Sequence, residues 1–122
     1  REALRRMAPQ ESGTLLFTGA SASMRGKPGF AAFTAAKGGL RNLAQSLARE
    51  FGPKSIHVGH VIIDGAVDGD RIRIGRPNIV ESYGEDRLVD IDGIVDIYEF
   101  MYSQPRRAWS HEIDVRSAVE VF

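Results

Sequence analysis

A cluster of small and hydroxyl residues at 18–23 and an Asp-Gly pair at 64–65 mark where this chain could do chemistry. Lys37 lies in a stretch where apolar residues recur at three- and four-residue steps, so it belongs to a helix. Thr18-Gly19-Ala20-Ser21-Ala22-Ser23 closes one run of β-favouring residues, and Asp64-Gly65 closes another. Ser21 and Ser23 are candidate hydroxyl donors, and they also suit an ordinary turn. Arg71, Arg73 and Arg76 make a small basic cluster that could take a phosphate or carboxylate, or could simply be solvated. Tyr83 could bring a phenol hydroxyl into a pocket or be a surface tyrosine. His57 and His60 stand three apart in a strand, so they face opposite sides and make a poor metal pair. His111, Glu112 and Asp114 read as structural. Lys37 itself is either a ligand-holding cation or a solvated helix lysine.

The elements that must position these residues are legible. Residues 14–18 form a short buried strand between Gly13 and Gly19. Gly26, Pro28 and Gly29 mark a loop. From about Phe30 to Phe51, the residues Phe33, Ala36, Leu40, Leu43, Leu47 and Phe51 make one helical face, and Gly52-Pro53 ends it. Gly38 and Gly39 inside that helix suggest a close approach by another helix or subunit, or simple tolerance. Ile56–Ile63 is a β-branched strand. Residues 64–88 show no clear period and read as a long mobile connection. Asp90 suits a helix N-cap, with Ile91, Ile94, Val95, Tyr98, Met101 and Tyr102 as the inner face and Pro105 beyond the end. His111–Arg116 alternates as a short closing strand. Strand, helix, strand, loop, helix, strand is the grammar of a doubly wound parallel α/β sheet, in which ligands bind at the carboxyl ends of the strands. Those ends are 18–21 and 64–69.

With 122 residues the chain has room for one domain. Sixteen basic residues balance sixteen acidic ones, so composition gives no electrostatic pull toward nucleic acid or an anionic membrane. No apolar stretch approaches the roughly 20 residues of a membrane span, and a soluble, cytoplasmic protein is expected. With no cysteine, thiolate metal sites and cysteine nucleophiles are excluded. The arginine-rich opening REALRRM reads as the tail of a helix.

The stretch TLLFTGASASMRGKPGFAAFTAAKGGLRNLAQSLAREFGPKSIHVGHVIIDGAVDG resembles the short-chain dehydrogenase/reductase family, in particular a divergent subgroup with phenylalanine where the catalytic tyrosine belongs. The ending PRRAWSHEIDVR is similar to the tail of the same subgroup. The resemblance implies a Rossmann-type fold, of which residues 1–122 would be the carboxyl-terminal half. It implies NAD or NADP as cofactor, and hydride transfer between a carbonyl and an alcohol on a small-molecule substrate. In the family's motif, tyrosine precedes lysine by four residues, one turn apart on one helix face. Here those positions are Phe33 and Lys37, and the resemblance gives Lys37 the nicotinamide ribose. The family serine falls at Ala20, with Ser21 as a possible substitute. Thr18, Gly19, Asp64, Gly65 and Val67 correspond to the cofactor's surroundings, although Asp64 replaces the usual proline. Residues 64–88 correspond to the substrate lid.

This chain shows no glycine-rich phosphate turn, so it would supply one wall of a nicotinamide pocket, as part of a longer protein. The unpaired edge of a half-sheet and the 30–51 helix predict association into a homo-oligomer. Three functions compete: an oxidoreductase with a non-standard active site, a cofactor-binding or regulatory homologue without turnover, and a purely structural role in which the helix from Phe30 to Phe51 serves as a dimer surface.

Overall fold

The computed structural model describes residues 2–121. In chain order its elements are α1 (Glu2–Met7), β1 (Gly13–Ala20), α2 (Ala31–Phe51), β2 (Ile56–Ile63), β3 (Ala66–Val67), α3 (Asp70–Arg73), α4 (Pro77–Tyr83), β4 (Leu88–Val89), α5 (Ile91–Ser103) and β5 (Glu112–Val115). Arg1, the first residue of the arginine-rich opening, lies outside the described residues.

The central strand is β2. Its β-branched residues are buried at every position but the last, as a strand covered on both faces requires. On one side β1 runs parallel to it, from Gly13 opposite Ile56 to Ala20 opposite Ile63. On the other, β5 runs parallel from Glu112 opposite His60 to Val115 opposite Ile63. The fold is therefore the expected α/β type with a parallel sheet, in the order β1-β2-β5.

Pleat alternation sorts the side chains onto two faces. On one, Ile56 and Val58 pack with Leu4, Leu15, Phe17, Leu47, Ala48 and Phe51 from α1, β1 and α2. On the other, Gly59 makes room for the fully buried Met101 of α5. A Cβ at Gly59 would lie 2.8 Å from Leu16 Cδ2 and closer still to Met101 Cε.

Three local expectations need correction. The apolar stripe expected for α2 holds toward its carboxyl end, where Leu47 and Phe51 pack on the core and Leu40 is half-buried, and fails at Phe33, Ala36 and Leu43. The buried residue is Ala44, flanked along the same line by half-buried Thr34, Lys37, Arg41 and Ala48, whereas Phe33, Ala36 and Leu43 are exposed. Small alanines let the helix settle close to the sheet, so bulk at Phe33 and Leu43 is displaced to the flank. On α5 only Ile94 and Met101 are buried, and Ile91, Val95 and Tyr102 are exposed. One narrow seam is all that a three-stranded sheet covers. Finally, residues 64–88 contain α3, α4 and the parallel pair β3–β4, elements too short to print a period in the sequence.

Gly38 and Gly39 face open space, with no atom near a Cβ built on either. Among the described residues no helix is long and apolar enough to cross a membrane.

Candidate active site

The parallel pairing leaves the β1 edge facing away from β2, and α2 reaches across it. Lys37 Nζ donates to the Thr18 carbonyl at 2.9 Å, which brings two of the expected site residues together. One turn earlier Phe33 is 45% exposed, with its ring centroid 5.9 Å from the same ammonium. A tyrosine there would present a hydroxyl beside a cation; phenylalanine presents only a ring.

Ala20 ends β1, and Ser21–Ser23 turn the chain at once. The Ala20 N–H donates to Ser23 Oγ at 3.1 Å, so buried Ser23 closes the turn rather than facing a ligand. The Ser21 carbonyl accepts the N–H groups of Met24 and Arg25.

Thr18 carries a second contact. Its Oγ1 lies 2.5 Å from Tyr98 Oη, a hydroxyl delivered from α5 across the opposite face of the sheet. The periodicity of α5 puts Tyr98 on its inner face and gives no sign of this contact. Tyr83 lies under the Arg87 guanidinium, 4.6 Å from ring centroid to Cζ.

At the end of β2, Asp64 is 1% exposed. Its N–H donates to the Val115 carbonyl, and its carboxylate accepts two hydrogen bonds from Arg25, at 2.9 and 3.0 Å. The carboxylate thus ties the loop after β1 to the end of β2, and the N–H ties that end to β5. Arg116 also approaches the carboxylate, at 3.9 Å. Gly65 adopts φ 155°, and a Cβ there would lie 2.8 Å from Val89 Cγ2. The Val67 carbonyl accepts the Gly69 N–H.

Gly19 faces the α2 side. A Cβ there would lie 2.9 Å from Ser23 Oγ and 2.7 Å from His60 Cε1, and closer still to His60 Nε2. His60 is wholly buried, with Nδ1 3.0 Å from Glu112 Oε2. Glu112 in turn accepts a bidentate pair from Arg41, at 2.6 and 2.8 Å. The Arg41 guanidinium, helped by His60, holds the Glu112 carboxyl below the usual carboxylate range despite partial burial. Arg41 lies one turn beyond Lys37, so one face of α2 serves both the strand end and this brace. His57, on the other face of β2, stacks on Trp109 at 4.9 Å and bonds the Ser110 carbonyl. His111 Nδ1 lies 3.1 Å from the Val58 carbonyl. In the basic cluster, Arg73 is held by Asp68 and Glu85, and that pairing depresses the Asp68 pKa. The spacing of Arg25, Arg41 and Tyr98 from their partners gave no local signal.

Residues 1–72 match the short chain dehydrogenase family. The chain belongs to that family. The chain is 39% identical over 75 residues, which cover 58% of it and 30% of the relative, to an uncharacterized short-chain type dehydrogenase/reductase of Sinorhizobium fredii. It superposes on a short-chain dehydrogenase from Rhodopseudomonas palustris with a TM-score of 0.70 and 40% identity, covering 95% of this chain and 43% of that one. A serine dehydrogenase solved in its closed form with NADP+ gives a TM-score of 0.84 at 13% identity, covering all of this chain and 51% of that one. The chain therefore spans about half the length of these relatives, or less.

Proposed function

We propose that the intact protein is an NAD(P)-dependent oxidoreductase that interconverts a carbonyl and an alcohol on a small molecule, through an active site lacking the family's tyrosine and serine. The observation that carries the reading is Lys37, whose ammonium sits at the carboxyl-terminal part of β1 beside a Phe33 that offers no proton. One of its three N–H donors is used on Thr18, and the others suit the ribose hydroxyls of a nicotinamide cofactor. When bound, that cofactor supplies hydride. The residues of this chain hold the ribose at Lys37, shape the pocket wall with Gly65 and Val67, and lock the two strand ends together through Arg25 and Asp64. Neither NAD nor NADP is favoured by these residues. Residues 64–88 would act as a substrate lid. The exposed flank of α2, with Phe33, Leu43 and open space at Gly38 and Gly39, would pair with a second copy. A soluble, cytoplasmic setting belongs to the same reading.

A second reading is favoured by Phe33 and Ala20 together, because general acid-base catalysis contributes about 10²–10⁴-fold and neither residue can supply it. In this reading the protein binds the cofactor without turnover and acts as a regulatory homologue.

The test uses the intact protein with NADH and NADPH, followed by fluorescence for binding and by absorbance with a panel of aldehydes and ketones. Oxidation of the cofactor by at least one carbonyl, and a faster rate in Phe33→Tyr, would support the enzyme. Tight cofactor binding with no oxidation in either protein would favour the regulatory reading.

A further inference from the structure

We infer that Arg41, Glu112 and His60 form a frame that positions Lys37 for the ribose of a nicotinamide cofactor; the inference rests on the oxidoreductase reading above.

The whole frame lies on the α2 face of the sheet, with Lys37. His60 shares a face of β2 with Ile56 and Val58, which pack against residues of α2. Glu112 of β5 stands opposite His60 in a parallel pair, so its side chain takes the same face. Lys37 and Arg41 are one turn apart on the half-buried side of α2. The ion pair itself lies over β5, across β2 from β1.

The contacts form a closed circuit. Lys37 Nζ donates to the Thr18 carbonyl at 2.9 Å. One turn along, Arg41 donates twice to Glu112, at 2.6 and 2.8 Å. His60 Nδ1 lies 3.0 Å from Glu112 Oε2. The His60 ring then meets Gly19, the residue after Thr18, where a Cβ would lie 2.7 Å from its Cε1. The hydrogen bond from Lys37 to Thr18 is thus one side of a loop, and the frame supplies the rest.

Charge and burial make this loop stiff. The Arg41 guanidinium holds the Glu112 carboxyl below its usual range, so at neutral pH Glu112 is an ionised acceptor for both neighbours. His60 Nδ1 therefore carries the hydrogen of its bond. A bidentate fork fixes orientation as well as distance, and the His60 ring is wholly buried. Lys37, by contrast, is a point charge on a flexible four-carbon stem. With α2 gripped at Arg41 and the strand end backed by His60, its two remaining N–H donors are aimed at one place.

The experiment uses the intact protein with its lysines isotopically labelled at Cε, the Lys37 signal being the one lost in Lys37→Arg. Wild type is compared with Arg41→Gln and Glu112→Gln, and with Ile56→Val at the far end of β2 as a control for destabilised packing. NADH and NADPH affinities are measured by fluorescence. Arg41→Gln removes a positive charge and Glu112→Gln a negative one, so a field effect alone would move the affinity for an anionic cofactor in opposite directions. Loss of the frame should weaken binding in both, by about 10-fold, and move the Lys37 signal toward those of the other lysines. Ile56→Val should change neither. An unmoved Lys37 signal, opposite changes in affinity, unchanged affinity in both variants, or equal effects in Ile56→Val would each overturn the frame while the cofactor still binds wild type. Wild-type protein that binds neither cofactor would overturn the oxidoreductase reading and this inference with it.

Discussion

The Asp64 carboxylate and the Arg25 guanidinium meet in two parallel hydrogen bonds, at 2.9 and 3.0 Å, with the acid 1% exposed. The pair joins the loop after β1 to the end of β2, the two segments that flank the candidate pocket. It gives the aspartate at this strand end a structural role: the acid anchors a neighbouring loop.

Asp64→Ala removes that anchor and leaves Arg25, whose side chain is 27% exposed, without its bidentate partner. Breaking a buried pair from one side costs about 3–5 kcal/mol, and the partial exposure of Arg25 sets the expectation near the lower end, at about 3 kcal/mol. Urea unfolding of wild type and variant measures it. An unchanged midpoint would contradict the anchor.

Glu112 gives stability a pH dependence with a definite sign. Its folded-state pKa lies below the ordinary value of 4.5, chiefly because Arg41 donates to it. A carboxyl depressed on folding adds stability that is fully present above the unfolded pKa and is lost as pH falls through the folded one. Stability should therefore decline below about pH 4.5, and Glu112→Gln should be less stable at neutral pH with a flatter acid limb. Urea midpoints from pH 7 down to pH 3 test the slope; parallel curves for the two proteins would remove Glu112 from the account.

Gly19→Ala puts a methyl group against a buried ring. His60 is held by Glu112 and cannot swing away as a flexible side chain would. Overpacking of this kind costs roughly 1–3 kcal/mol, and the strand end that carries Thr18 and Ala20 should shift as well. Thermal unfolding gives the first effect. Chemical-shift changes centred on residues 18–23 and His60 report the second, and changes confined to position 19 would argue against it.

Asp90 accepts the Gly93 N–H at 2.9 Å and caps α5. Asp90→Ala should lower stability by about 1 kcal/mol, and Asp90→Ser should recover most of it. Because α5 carries Tyr98, the loss should also loosen the Thr18 contact. Hydrogen exchange across residues 91–98 is the measurement: protection equal to wild type would show that packing alone holds the helix start.

Much of this architecture was readable before any coordinates. The limits of β2 at Ile56 and Ile63, the stop of α2 near Gly52 and the Asp90 cap are all set by local chemistry: β-branched runs, helix breakers and a short acceptor side chain. So was the lysine four residues after an aromatic position, from which the family could be recognised. The side of α2 that meets the sheet was only partly readable, because apolar residues lie around much of the helix and the choice fell to the small alanines at 44 and 48. Nor were the pairings that build the candidate site. Arg25 reaches Asp64 across 39 positions, Arg41 reaches Glu112 across 71, and Thr18 reaches Tyr98 across 80. By itself the sequence determined the longer strands and helices and the apolar side chains at Phe33 and Ala20. Only the tertiary structure decided which distant side chains gather at the strand ends, because a hydrogen bond depends on position in space, and sequence periodicity carries no record of which strand ends up beside which helix.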